Sequence, residues 1–252
     1  MGQRRGWEGA VLKLLRARDF VLTVTDVEEV TPLYRRLRVS DGGLLAATGI
    51  HPTMWVRLWF AGAGRPHQRA YTLVAPDPAT GTFALEFALH EGRASDWARA
   101  AKPGDTVEAT VQGTDFQEPV PAPSRLYAIV DPASLPALNS LLGSLGSAPA
   151  TIWFEGDPEG LPCDVDPSRH DLRIVPRRDG GGHLVERVRA ELPELLRDDP
   201  DPYVWTTCDT TTTRTLASYV RKELNVPKQR VHALGYWRAV EAAAPVGGAV
   251  DA

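Results

Sequence analysis

The stretch "QEPVPAPSRL", residues 117–126, separates two regions whose hydrophobic residues recur with different periods. Pro119, Pro121 and Pro123 have no N–H to give a sheet ladder and hold the chain extended, so the segment reads as a linker. Before it lie six short strand-like runs: "FVLTVTDVEEV", "YRRLRVS", "MWVRLWF", "RAYTLVA", "TFALEFALH" and "DTVEATV". Glycine and proline turns divide them, with one helix among them, which predicts an antiparallel β-barrel. After it the period changes. Leu135, Leu138, Leu142 and Leu145 recur at helical spacing, as do Leu184, Val188, Leu192 and Leu195, then Leu216, Val220 and Leu224. The runs "LYAIV", "TIWFE", "LRIV", "YVWT" and "RVHALGYW" alternate with these helices. Strands alternating with helices predict an α/β unit with a parallel sheet of the nucleotide-binding kind. The expected division is a barrel over 1–118, a linker at 119–125 and the α/β unit over 126–252.

The 252 residues are 43% hydrophobic and 24% charged, the balance of a globular chain, and the net charge is −4. That balance gives no overall attraction to nucleic acid or to an anionic membrane, so any basic site must be local. Two cysteines, Cys163 and Cys208, match no zinc or dithiol spacing and suit a reducing cytoplasm. The six histidines have no ligand spacing, so no protein-bound metal is expected. The opening "MGQRRGWEGAVLKLLRARDF" reads as neither signal peptide nor span, because Lys13 and Arg16 break its apolar run.

Two stretches carry chemistry. In "HQRAYTLVAPD", residues 67–77, strand alternation puts Arg69, Tyr71 and Leu73 on one face and Ala70, Thr72 and Val74 on the other. A guanidinium and a phenol then face the same way, which suits a flat, anionic partner. In "LHEGRASDWARAAKPGD", residues 89–105, Ser95 reads as the N-cap of a short helix ended by Pro103-Gly104. The free N–H groups of such a helix start attract anions, Gly92 allows close approach, and His90 faces the same space. "DGGGH", residues 179–183, reads as a surface turn ahead of a helix.

Together with "DPASLPA" (131–137) and "GYWR" (235–238), these stretches resemble the siderophore-interacting protein family, flavin-dependent ferric-siderophore reductases of the ferredoxin-reductase-like kind. The resemblance spans about residues 19–238 and implies FAD. On it, Arg69 meets phosphate, the Tyr71 ring packs on the isoalloxazine, Thr72, on the strand's other face, acts through its backbone, and Ala70 is a further cofactor-binding position. Ala94 and Ser95 give N–H groups to the pyrophosphate after Gly92, with Trp97 on the same helix. His90 lies near the adenine or ribose part, and Tyr236 and Trp237 border the flavin's outer face. Arg57 and Arg238 are the cations expected to recruit an anionic ferric siderophore; no catalytic residue is assigned.

The chain departs from the family pattern in the helix loop and in the second unit, where "DPASLPA" lacks the usual Glu-Thr. The helix loop is two residues shorter, Glu91 stands where glycine is usual, and Arg93 replaces proline. "WTTCDTTTTR" replaces a Gly-Glu-Ala segment in the nicotinamide region, which counts against NAD(P)H and leaves reduced ferredoxin as the other donor. The implied activity is reduction of ferric siderophores with release of Fe(II) in the cytoplasm. The alternatives are a flavoprotein with another reaction in secondary metabolism, or a non-enzymatic binder that has lost its cofactor.

Overall fold

The computed structural model describes residues 19–60, 67–113 and 116–238. The reading of the N-terminal stretch therefore lies, up to residue 18, outside the described residues. The first sheet contains β1 (Asp19–Thr31), β2 (Tyr34–Ser40), β3 (Trp55–Phe60), β4 (His67–Thr72), β5 (Val74–Asp77), β6 (Thr82–Ala88) and β7 (Thr106–Gly113). A short helix α1 (Leu44–Thr48) follows β2, and α2 (Arg93–Ala100) follows β6. All pairings are antiparallel, in the order β4-β3-β7-β1-β2-β6-β5.

The two end strands of that order, β4 and β5, are consecutive in the chain and separated only by Leu73. The sheet thus curls until its ends meet, as the barrel reading predicts. The expected single strand "RAYTLVA" is corrected to two. Leu73 donates its N–H to the Met54 carbonyl (2.9 Å) and is buried, and Ala75 takes a positive φ of 45° as the chain turns onto β6. Leu73 still enters the barrel core that Tyr71 packs against, and the two-residue period is broken after it, at Ala75. Inside the curl, Leu22, Leu37, Val56, Leu58, Phe83, Leu85 and Phe87 form an apolar core, and α2 adds Ala94 and Ala98.

The second sheet contains β8 (Arg125–Val130), β9 (Ala150–Glu155), β10 (His170–Val175), β11 (Pro202–Thr207) and β12 (Val231–Ala233). All pairs are parallel, in the order β10-β9-β8-β11-β12. Helix α3 (Leu135–Ser144) covers one face; α4 (Gly182–Leu196) and α5 (Thr210–Lys222) cover the other. Leu126, Ala128 and Val130 pack toward α3 while Tyr127 and Ile129 pack toward α4 and α5. Burial on both faces explains why these strands read as unbroken apolar runs. Strand order reverses between β8 and β11, where open α/β sheets leave a crevice at the carboxyl ends.

The sheets are joined by packing as well as by the chain. Tyr34 of β2 is buried in the core under α3, and its hydroxyl donates to Glu86 (2.8 Å). The Thr53 N–H donates to Ser140 Oγ on α3 (2.8 Å). No helix among the described residues is long and apolar enough to cross a membrane. Cys163 and Cys208 are free thiols.

Candidate functional site

β4 pairs only with β3, so its other backbone edge is open among the described residues. The register sets His67 opposite Phe60, Arg69 opposite Leu58 and Tyr71 opposite Val56. The three side chains therefore continue the inner face of the barrel at its mouth. The Tyr71 ring lies 4.3 Å from Phe87 and edge-on to Phe60 at 6.5 Å, and remains partly exposed. Burial pushes its phenol up, so it is neutral at physiological pH. Arg69 is exposed; its guanidinium donates to the Gln68 carbonyl (2.9 Å) and makes no ion pair among the described residues.

α2 begins at Arg93, three residues before the start expected with Ser95 as its N-cap. Its N-cap is Gly92, at φ 137° and ψ 162°, a conformation that only glycine adopts without strain. Ser95 is corrected from N-cap to the first turn: it is buried, and its Oγ accepts the His90 N–H (3.1 Å). The first in-helix bond runs from Asp96 N–H to the Gly92 carbonyl (2.9 Å), which leaves the N–H groups of Arg93, Ala94 and Ser95 at the helix start. Trp97 falls in the second turn and packs between Phe60 (5.6 Å) and Phe87 (6.0 Å), anchoring α2 on the barrel mouth. His90 is exposed, its Nδ1 on the Glu91 carbonyl (2.6 Å).

Arg69 and Arg93 both act on His67. Burial first, then the charges of Arg69 and Arg93, hold its imidazole below the usual value. Sequence reasoning quoted His67 without assigning it; the two-residue period that grouped Arg69 with Tyr71 would have included it. The donor set at this mouth comprises two cations free of carboxylates, open helix N–H groups and an aromatic ring. It fits a flat group carrying phosphates.

Ala70 and Thr72 face the other side of β4, opposite Arg57 and Trp55. Arg57 lies over the Trp55 ring (5.3 Å) and reaches the Gln68 carboxamide (3.4 Å), on the face away from Arg69 and Tyr71. The free edge of β4 lies between these two faces.

Tyr236 and Trp237 are held at the second sheet. The Tyr236 N–H donates to the Cys208 carbonyl (2.9 Å), and the Trp237 carbonyl accepts from Thr210 N–H (2.8 Å). Trp237 Nε1–H donates to Asp131 Oδ2 (2.7 Å), and Arg177 stacks on the indole at 4.8 Å. Arg238 follows, exposed. This crevice gathers Asp131, Glu155 and Asp209, all buried, around Arg177, which pairs with Glu155 and reaches Asp209 (3.4 Å). Asp209 caps α5 through the N–H groups of Thr211 and Thr212, and Asp131 accepts from the N–H groups of Ala133 and Ser134. Burial raises the Asp131 carboxyl to about 6, against the opposing Trp237 hydrogen bond. Sequence reasoning missed this acidic group, although an acid closes each of the runs "LYAIVD", "TIWFE" and "YVWTTCD".

Two family models match the chain in order. The siderophore-interacting FAD-binding domain covers residues 45–113, and the siderophore-interacting protein model covers 123–240. The mycobactin import ATP-binding/permease protein IrtA of Mycolicibacterium smegmatis is 33% identical over 92% of this chain, which spans about a quarter (27%) of that relative's length. The NADPH-dependent ferric-chelate reductase of Escherichia coli is 27% identical over 69% of this chain and 68% of its own. The solved siderophore-interacting protein of Acinetobacter baumannii superposes with a TM-score of 0.77 at 19% identity, covering 90% of this chain and 93% of its own. The same ferredoxin-reductase-like arrangement recurs in ferredoxin-NADP+ reductase of Plasmodium falciparum. With one model of the family on each sheet, the chain belongs to the siderophore-interacting proteins and carries their FAD-binding domain.

Proposed function

We propose that this chain is an FAD-dependent reductase of ferric siderophores that releases Fe(II) in the cytoplasm. The observation that carries the reading is the barrel mouth, where Arg69 stands free of carboxylates beside the Tyr71 ring and the start of α2. Arg69 and the N–H groups of Ala94 and Ser95 would hold the diphosphate, with Gly92 keeping the approach clear. Tyr71 would lie against the isoalloxazine, with Ala70 and Thr72 offering backbone groups along the free edge of β4. When bound, FAD supplies a two-electron store that can be discharged one electron at a time, as reduction of Fe(III) to Fe(II) requires.

The protein's task is orientation and field. Arg238 and Arg57 are the exposed and half-exposed cations proposed to draw in an anionic chelate. Reduction lowers the charge on iron and weakens its hard oxygen ligands, so the chelate lets go. The electron donor is NAD(P)H or a reduced ferredoxin. The Asp131–Glu155–Asp209 crevice favours the second, because its buried carboxylates oppose a dinucleotide diphosphate and the Arg177 guanidinium beside them is already paired with Glu155 and Asp209. The division at the proline linker, residues 119–125, is proposed to separate the flavin unit from this donor-facing one.

The test begins with the visible spectrum of the purified chain, expected to be that of a flavoprotein. Anaerobic reduction followed by mixing with a ferric siderophore and an Fe(II)-trapping dye should give coloured Fe(II) complex. A flavin-loaded chain that leaves every ferric chelate oxidised would defeat the reductase reading while keeping the flavin.

A further inference from the structure

Arg93 occupies a position where the family pattern carries proline, and it opens α2 instead of merely preceding it. It lies one helical turn before Trp97, on the same helix face. The Trp97 ring packs on Phe60, and Phe60 is the cross-strand partner of His67, two residues from Arg69. α2 is thus pinned so that Arg93 comes to the mouth from the helix side while Arg69 comes from β4. Among the described residues neither guanidinium has an ion pair. The neighbouring Arg99, by contrast, bonds Asp96 and the His90 carbonyl.

We propose that Arg93 is a second diphosphate-binding cation of the flavin site. It offsets the carboxylate of Glu91 and makes the site prefer a flavin dinucleotide to a mononucleotide. The inference rests on the FAD reading above and extends it to a position at which this chain departs from the family motif. Arg69 and Arg93 both act on His67 and neither has a counter-ion among the described residues, so a ligand with two adjoining phosphates can answer both charges at once.

The experiment strips flavin from the purified chain and titrates it with FAD and with FMN by flavin fluorescence, for the wild type, Arg93→Ala, Arg93→Lys and Arg69→Ala. Loss of a charge-assisted contact at Arg93 is expected to weaken FAD about tenfold or more. FMN binding should change less, so the FAD preference narrows. Arg93→Lys should recover most of the affinity, and the salt dependence of FAD binding should be shallower in Arg93→Ala. Wild-type FAD affinity in Arg93→Ala, with Arg69→Ala weakened, would overturn the role of Arg93 and leave the flavin reading intact. A wild-type chain that binds neither flavin would overturn both.

Discussion

At the barrel mouth two guanidiniums and an imidazole stand together with no carboxylate paired to them among the described residues, whereas at the carboxyl ends of β8, β9 and β11 three carboxylates surround one guanidinium. The difference lies in how each charge is satisfied. In the crevice Asp209 caps α5, Asp131 binds the start of α3 and the Trp237 indole, and Glu155 pairs with Arg177, so the charges hold the fold to itself. At the mouth the guanidiniums pair with no carboxylate among the described residues, and burial, together with their charges, pushes His67 toward neutrality. Charge that stabilises no neighbour is charge kept for a ligand, and the comparison predicts that deletions at the two places will separate stability from binding.

The largest effect is expected from Arg177→Ala. It leaves Glu155 and Asp209, with side chains 1% and 3% exposed, without their cation. Stranding buried carboxylates costs about 3 kcal/mol, near the low end for broken buried pairs because Arg177 itself reaches water. Chemical denaturation at pH 7 should show the loss, and adding Glu155→Gln should restore part of it. Stability equal to the wild type would mean that the crevice is wet and its acids free, erasing the contrast. Gly92→Ala comes next: a Cβ at φ 137° costs roughly 1–3 kcal/mol in strain and disturbs the start of α2. Both the melting temperature and FAD affinity should fall, linking the two readouts at that one residue. Arg69→Ala should separate them, with stability within about 0.5 kcal/mol of the wild type, as for an exposed side chain whose one bond is to the neighbouring Gln68 carbonyl, and FAD affinity clearly reduced.

Much of this contrast was written locally in the sequence, and part was not. The proline run at 119–123 and the change of period announced an antiparallel unit followed by a parallel one, because each strand's burial pattern depends on the layers covering it. Arg69 and Tyr71 shared a face by simple alternation. The break at Leu73 could not be counted, since it arises from closure of the curl, a long-range event. Ser95 looked like a cap by residue type, yet Gly92, with a backbone that no side-chain-bearing residue favours, starts the helix and turns the Ser95 hydroxyl inward. Gly181 in "DGGGH" is likewise set by packing: a Cβ there would lie 2.1 Å from Thr212 Oγ1. The acidic crevice joins the ends of strands far apart in the chain, and only the parallel order brings them together.

The smallest effect is also the most direct reading of the mouth. The imidazole of His67 is held below its usual value by burial and by Arg69 on its own strand and Arg93 on α2. For a base depressed in the folded state, the stabilising contribution is present above the unfolded value of about 6.5 and is lost as pH falls through the folded one. Proton NMR of the His67 ring should therefore give a midpoint below 6.5 in the flavin-free chain. A diphosphate lying between the two guanidiniums cancels the field that depresses it, so FAD should move the midpoint up, and Arg93→Ala should move it up without any ligand. Both shifts follow from the same two charges, and their sizes compare what the ligand and the mutation each remove. An unchanged midpoint on FAD binding, with Arg93→Ala still raising it, would put the phosphates away from the cations that make this mouth unlike the crevice.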